Sequence, residues 1–175
     1  MRIECKECGR TFESVGRRGR SPLFCGATCR KRASRRRVRA RDRFMELARG
    51  RWVRADGKRP VMVDGRAASS TDPSTWAVHE RVVASSVGDG LGVMLGGGLA
   101  CLDLDDCFEG GWLAGWARAA IRALEGPVLL CERSMSGRGL HVYHECPEGP
   151  GRAYRGVEHY SRERFIRVTF DEVAL

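Results

Sequence analysis

The sequence predicts an α+β protein with mixed α/β character, built from a small cysteine-rich module and a larger body. Two observations predict this class. Four of the eight cysteines lie within the first 29 residues, and strand-like segments alternate with helix-like segments and glycine-rich turns after residue 50. The 175 residues are 42% hydrophobic and 30% charged, which is typical of globular proteins. No run reaches about 18 apolar residues, so we expect no membrane-spanning helix and no membrane partner.

Charge is distributed unevenly along the chain. Residues 1–60 hold 20 Lys or Arg against 6 Asp or Glu, whereas residues 61–175 hold 11 against 16. The basic part favours a polyanion as its partner. The N-terminal MRIECKECGR lacks the apolar stretch of a secretory signal, so we expect a cytoplasmic protein in a reducing compartment.

The first four cysteines form two close pairs, Cys5-x2-Cys8 and Cys25-x3-Cys29, separated by 16 residues. This spacing predicts one structural zinc ion bound by a module of residues 1–30, with a hairpin-like loop over residues 11–24. The alternative is a set of free thiols, which does not account for two pairs at this spacing. The later cysteines have no such pattern and are expected to be small buried residues; they are Cys101, Cys107, Cys131 and Cys146.

An arginine-rich helix is predicted to follow the cysteine module. Residues 30–43 contain nine basic residues, and a weak apolar stripe extends the helical pattern to residue 49. We expect residues 31–50 to form a helical linker that contacts nucleic-acid phosphates without sequence preference, through Arg35, Arg36, Arg37 and Arg39. The alternative is a solvated linker helix.

The body, residues 51–175, begins with a predicted hairpin over residues 51–64 around Asp56-Gly57. Asp72 and Pro73 are expected to start a helix that runs to residue 85. A second helix is predicted over residues 111–124, with Trp112 and Trp116 in the core. The remaining segments are predicted strands, namely 91–95, 99–104, 128–132, 140–144, 157–160 and 164–170.

The strand over residues 99–104 ends in paired carboxylates. Side chains alternate along a strand, so Leu102 and Leu104 are expected to face the core while Asp103 and Asp105 share the opposite face. Two carboxylates about 6.5 Å apart can hold one or two divalent cations. The alternative is a solvated strand end.

A second motif, residues 134–141, is a glycine-rich turn that leads into a strand. Ser136, Gly137, Arg138 and Gly139 can present backbone N–H groups, a hydroxyl and a guanidinium to a phosphate. His141 is expected on the same face as the aspartates. The alternative is an ordinary hairpin turn followed by a hydrogen-bonded histidine.

The third constellation comprises Glu158 and Arg164. Glu158 can supply a third carboxylate from a neighbouring strand, and Arg164 lies near a turn from which it can reach a triphosphate. The alternative is that both are exposed strand charges.

In combination, the three motifs resemble the archaeo-eukaryotic primase superfamily, and in particular the bifunctional primase/polymerase domain of phages and plasmids. Its acid-x-acid strand is matched by Asp103 and Asp105, and its Ser-Gly-x-Gly-x-His element by residues 136–141. Its third motif is matched by Glu158, Tyr160, Arg164-Phe165 and Val168-Thr169. The resemblance covers residues 51–170, and the cysteine module with its Arg run is similar to those attached to some phage primases.

The resemblance implies a mixed or antiparallel RRM-like sheet with packed helices, and primer synthesis on single-stranded DNA from NTPs or dNTPs. Asp103, Asp105 and Glu158 would bind two Mg²⁺ or Mn²⁺ ions. The triphosphate would be held by Ser136, Gly137, Arg138, Gly139, His141 and Arg164.

The sequence departs from the family in two ways. Phe170 stands where glycine usually follows the Val-Thr pair, and the chain stops five residues later. The second departure implies a separate helicase partner. Two alternative functions remain: a non-catalytic, zinc-dependent DNA-binding protein with a primase-like body, and a glycosyltransferase that binds a nucleotide-sugar through Asp103 and Asp105.

Overall fold

The computed structural model describes residues 2–13 and 21–174. The chain divides into two compact units, an N-terminal unit of residues 1–41 and a C-terminal unit of residues 42–175. The described residues contain both helices and antiparallel sheets, which confirms the α+β class. Among these residues, no helix has the length and apolar character needed to cross a membrane.

The N-terminal unit contains a short hairpin and the start of a long helix. Strands β1 (Arg2–Glu4) and β2 (Thr11–Glu13) pair antiparallel, and helix α1 runs from Ala27 to Leu47. The predicted helix through the Arg run is therefore confirmed, and the boundary between the units falls inside it. The loop predicted over residues 11–24 lies partly outside the described residues.

The larger sheet of the C-terminal unit has five strands, β6 (Leu99–Leu104), β9 (Val128–Arg133), β10 (Leu140–Glu145), β11 (Arg152–Tyr154) and β12 (Val157–Tyr160). Their order in the sheet is β11-β12-β6-β10-β9, and each neighbouring pair is antiparallel. The middle strand, β6, is paired with two strands that are distant from it in the sequence.

The second sheet has the order β13-β5-β3-β4 and is also antiparallel. It contains the predicted hairpin, with Gly57 at positive φ in the turn. Its strands are β3 (Trp52–Asp56), β4 (Arg59–Val61), β5 (Gly90–Met94) and β13 (Phe165–Val168), and a two-stranded ribbon is formed by β7 (Phe108–Glu109) and β8 (Trp112–Leu113).

Two apolar cores lie on opposite faces of the five-stranded sheet. The first joins this sheet to the second sheet and to the end of α1, with Phe44, Trp52, Cys101 and Tyr143 buried in it. The second lies under helix α3 (Gly115–Arg122), where Leu102 and Leu104 pack with residues of that helix. The alternation predicted for β6 therefore holds. Of the four later cysteines, Cys146 is half-buried and the other three are buried.

The helix predicted from Asp72 to residue 85 is interrupted. Asp72 caps only a 3₁₀ turn, Pro73–Thr75, and helix α2 covers His79–Ala84. Between them Ala77 forms two backbone hydrogen bonds with Trp52 at 2.8 and 3.1 Å. This bridge to strand β3 competes with helical hydrogen bonding, and a local sequence pattern contains no sign of it.

The prediction that Trp112 and Trp116 lie in the core is wrong. Trp112 is 78% exposed and Trp116 is 42% exposed. Gly110 and Gly111 both have positive φ, and they turn the chain into the β7–β8 ribbon, so the helix begins only at Gly115. Ala117 rather than the tryptophans faces the core.

Candidate functional site

The four N-terminal cysteines converge, with one sulfur from each within 4.8 Å of the others. Cys5 and Cys8 come from the turn between β1 and β2, and Cys25 and Cys29 come from the start of α1. The Cys8–Cys25 and Cys25–Cys29 sulfur distances are 3.7 and 3.5 Å. A tetrahedral zinc ion with Zn–S bonds of about 2.3 Å has sulfurs about 3.8 Å apart. The cluster can therefore hold one zinc ion.

The surroundings of Cys5 and Cys29 shift the pKa values of these two thiols in opposite directions. Burial opposes ionisation of Cys5, but backbone N–H groups, first that of Cys25, outweigh it and lower the pKa of Cys5 to about 6. Hydrogen bonding to Cys25 and burial raise the pKa of Cys29 to about 12. The Cys5 thiolate is thus favoured before any metal binds, and a bound cation would favour ionisation of Cys29.

The basic face of α1 is solvent-exposed. Arg35, Arg37 and Arg39 are exposed, whereas Arg36 forms an ion pair with Glu7 at 3.0 Å. Glu7 lies between the first two cysteines, so this ion pair ties the helix to the metal-binding turn. The exposed arginines present positive charge that suits a phosphate backbone.

In the C-terminal unit, sheet register places a row of polar side chains on one face of the five-stranded sheet. Asp103 on β6 is directly opposite His141 on β10 and Glu158 on β12. Glu132 on β9 is opposite His141. Directly opposite residues of antiparallel strands point to the same face, so these four form one cross-strand row. Three members of the cross-strand row were predicted from the sequence.

Members of the row lie close to one another and to Arg164. His141 Nε2 lies 3.7 Å from Asp103 Oδ1, and Arg164 Nη2 lies 3.5 Å from Glu158 Oε2. Burial raises the pKa of Asp103, the charge of His141 opposes the shift, and the negative charges of Asp105 and Glu158 add to it. The three acids therefore share one electrostatic environment.

Asp105 lies just beyond the end of β6 rather than on it. Its backbone N–H donates to Gly156 O at 2.8 Å, which joins it to the β11–β12 turn. Within residues 2–13 and 21–174, the four N-terminal cysteines form the only cluster of three or more potential metal ligands whose ligand atoms all lie within 4.8 Å of one another. At least one pair among Asp103, Asp105 and Glu158 is therefore farther apart than 4.8 Å.

Four of the six predicted phosphate-binding residues, Ser136 to Gly139, lie in the hairpin turn between β9 and β10. The Arg138 N–H donates to Ser136 Oγ at 3.3 Å, and the Arg138 guanidinium donates to Asp106 at 2.7 Å. Gly137 has φ +73°, and a Cβ at Gly139 would lie 2.8 Å from the Leu104 carbonyl oxygen. Both glycines thus have structural reasons to be present, and the turn ends directly at the cross-strand row.

Glu132 is the member of the row that sequence reasoning missed. It is completely buried. Its Oε1 lies 3.2 Å from His141 Nδ1 and accepts from Tyr143 OH at 3.1 Å. Its Oε2 accepts from the backbone N–H groups of Thr169 and Phe170 at 3.1 and 2.8 Å. The available signal was a single acidic residue inside the apolar strand VLLCER.

Phe170 stands where the family pattern usually has glycine, and its backbone conformation and ring contacts bear on this departure. Phe170 has φ +54°, a left-handed conformation that favours glycine. Its ring lies 6.1 Å from that of Trp52 and 6.3 Å from that of His79. The turn after β13 therefore has the geometry that glycine suits, and here the packing of the aromatic ring offsets the backbone cost.

An open groove of about 470 Å³ is lined in part by residues of the β9–β10 turn. Ser134 and Gly137 line one wall, and Asp89 and Arg167 line the other, where they form an ion pair at 2.8 Å. None of the three predicted metal-binding acids lines this groove.

The chain was also compared with known proteins. The sequence model of the family described as "Bifunctional DNA primase/polymerase, N-terminal" matches residues 21–166. A search of curated proteins finds no match to the chain. The matched segment includes the whole cross-strand row, the β9–β10 turn and the second cysteine pair.

Proposed function

Because the chain belongs to the bifunctional DNA primase/polymerase family, we propose that it synthesises primers on single-stranded DNA by nucleotidyl transfer from NTPs or dNTPs. The observation that carries this proposal is the cross-strand row, in which Asp103 lies between His141 and Glu158. The family description gives the primase/polymerase activity, and the row gives the residues that would perform it.

The donor set fits divalent cations such as Mg²⁺ or Mn²⁺. Asp103, Asp105 and Glu158 offer the carboxylate oxygens that hard cations prefer, and Mg²⁺ usually needs only one or two carboxylates in addition to substrate phosphates and water. The burial and negative neighbours that raise the pKa of Asp103 are the conditions that a bound cation would relieve. Two such ions, held by these acids, would activate the attacking 3′-hydroxyl and neutralise charge at the leaving pyrophosphate.

The remaining residues would bind the incoming nucleotide. His141 Nε2 faces the acids, which places its ring beside any phosphate that is held there. Arg164 lies over the Tyr160 ring, 4.4 Å from its centroid, and next to Glu158, so its guanidinium can move from a carboxylate to a triphosphate. Ser136, Gly137, Arg138 and Gly139 would close the site from the β9–β10 turn.

We divide the chain by role into a zinc module (residues 1–30), an arginine-rich helical linker (31–50) and a primase/polymerase domain (51–175). Arg35, Arg36, Arg37 and Arg39 would hold the DNA template. We propose that the protein acts in phage or plasmid replication, in the cytoplasm of a bacterial host, and that a separate helicase is its partner.

The test is metal-dependent nucleotide incorporation on a single-stranded template, compared with NTPs and with dNTPs. We expect Asp103→Ala to abolish synthesis and to leave DNA binding largely intact. Asp64→Ala is the matched control, because Asp64 is an exposed acid paired with Arg66 away from the row. Wild-type protein that binds DNA but incorporates no nucleotide would favour the alternative of a non-catalytic DNA-binding protein.

A further inference from the structure

We propose that Glu132 is a positioning residue, which fixes the proton of His141 on Nδ1 so that Nε2 faces the substrate. The inference rests on the proposed function, since the substrate of His141 is the nucleotide. It concerns a residue that does not itself reach the acids: the contacts of Glu132 are with His141, Tyr143 and the backbone after β13.

The hydrogen bonds around Glu132 determine its orientation. Two backbone N–H groups donate to Oε2, at Thr169 and Phe170, so this oxygen is held in place by main chain. Oε1 is then directed between β9 and β10, where Tyr143 OH and His141 Nδ1 meet it. A carboxylate oxygen beside Nδ1 offers it a hydrogen-bond acceptor, which favours a proton on that imidazole nitrogen.

Burial makes this arrangement specific. Glu132 and Tyr143 are fully buried and His141 is 7% exposed, so no bulk water competes for the Nδ1 proton. With Nδ1 committed to Glu132, the ring plane is set and Nε2 points to the Asp103 side, 3.7 Å from Oδ1. The same carboxylate links this ring to the Thr169–Phe170 turn, so the turn geometry and the histidine orientation depend on one side chain.

The first experiment is long-range ¹H–¹⁵N NMR of the zinc-loaded full chain, with His141 assigned through His141→Ala. We expect Nδ1 of His141 to be protonated in the wild type and its protonated fraction to fall in Glu132→Gln. Tyr143→Phe is the matched control: it removes another hydrogen bond to Oε1 and should leave the His141 signals in place. A wild-type Nδ1 without a proton overturns the proposal, and this result does not require Glu132→Gln to fold.

The second experiment separates positioning from general structural support by a double-mutant cycle. We expect Glu132→Gln to raise the nucleotide KM roughly tenfold, as for carboxylates that orient ligand histidines, and to leave the affinity for DNA unchanged. In a His141→Ala background the same substitution should have less than about a twofold effect, because Glu132 acts through His141. If Glu132→Gln raises the nucleotide KM as much in the His141→Ala background as it does in the wild type, the proposal is overturned. Wild-type protein without any synthesis would contradict the proposed function, while the NMR result would still decide the pairing.

Discussion

In the proposed site, Asp103 would serve function at a cost in stability. Burial and then the charges of Asp105 and Glu158 raise its pKa in spite of the opposing charge of His141. A raised pKa means that the folded protein favours the protonated acid, so ionised Asp103 lowers the free energy of unfolding at neutral pH.

We therefore expect Asp103→Asn to be more stable than the wild type at pH 7. The advantage should shrink as the pH falls through the raised pKa and should vanish below the ordinary range of aspartate, where both states are protonated. Urea unfolding at several pH values measures this. The raised pKa of Asp103 would be contradicted if Asp103→Asn were only as stable as the wild type at pH 7, or if its stability advantage grew in acid.

Phe170 gives a second prediction at the residue scale. Removing the half-buried ring in Phe170→Ala should destabilise the protein by about 2 kcal/mol. Phe170→Gly should be less destabilising than Ala by about 1 kcal/mol, because glycine adopts positive φ without strain. Denaturant unfolding compares the two. Phe165, a half-buried strand residue of β13, is the control, and there glycine should be the worse substitution.

Among the elements, helix α1 is the one that we propose to supply sequence-independent affinity for DNA. Replacing Arg35, Arg37 and Arg39 by alanine should make the dependence of log K on log salt shallower by about 2, at about 0.7 for each phosphate contact to a single strand. Fluorescence anisotropy over a salt series measures the slope. The double control Arg59→Ala, Arg66→Ala removes exposed arginines that are paired with nearby aspartates and should leave the slope unchanged.

Some of the strands and helices could be predicted from the sequence, and others could not. Strand β6 and strand β12 match their predicted residues 99–104 and 157–160, because alternation and turn signals are local. The break between Pro73–Thr75 and α2 depends on a long-range bridge to Trp52, and no local pattern encodes it. Glu132 was missed for the same reason: its hydrogen-bond partners come from strand β10 and from the turn after β13, two segments that lie apart in the sequence. The exposed Trp112 was misassigned because helical periodicity was extended across two glycines.

At the scale of the whole molecule, the two units depend on different sources of stability. Among the described residues of the N-terminal unit, only Cys5 and Cys29 are buried, whereas the C-terminal unit has two apolar cores that contain none of the four N-terminal cysteines. A zinc ion bound by the four cysteines can therefore substitute for a core in the N-terminal unit.

We expect a zinc chelator, or Cys25→Ser, to unfold the N-terminal unit and to leave the C-terminal unit folded. Limited proteolysis should then cleave within residues 1–30 while residues 42–174 remain resistant, and added zinc should restore protection to the chelated wild type. Simultaneous loss of protection in both units would show that their stabilities are not separable.

The pairing of β6 with β10 and β12 has a consequence for biosynthesis. During translation, β6 must wait for some 55 further residues to leave the ribosome before its second neighbour is available, and such distant pairings form slowly. The metal-binding turn needs only the first 29 residues. Nascent chains released early would therefore carry an assembled DNA-attracting segment without Glu158, and they would occupy template without extending it.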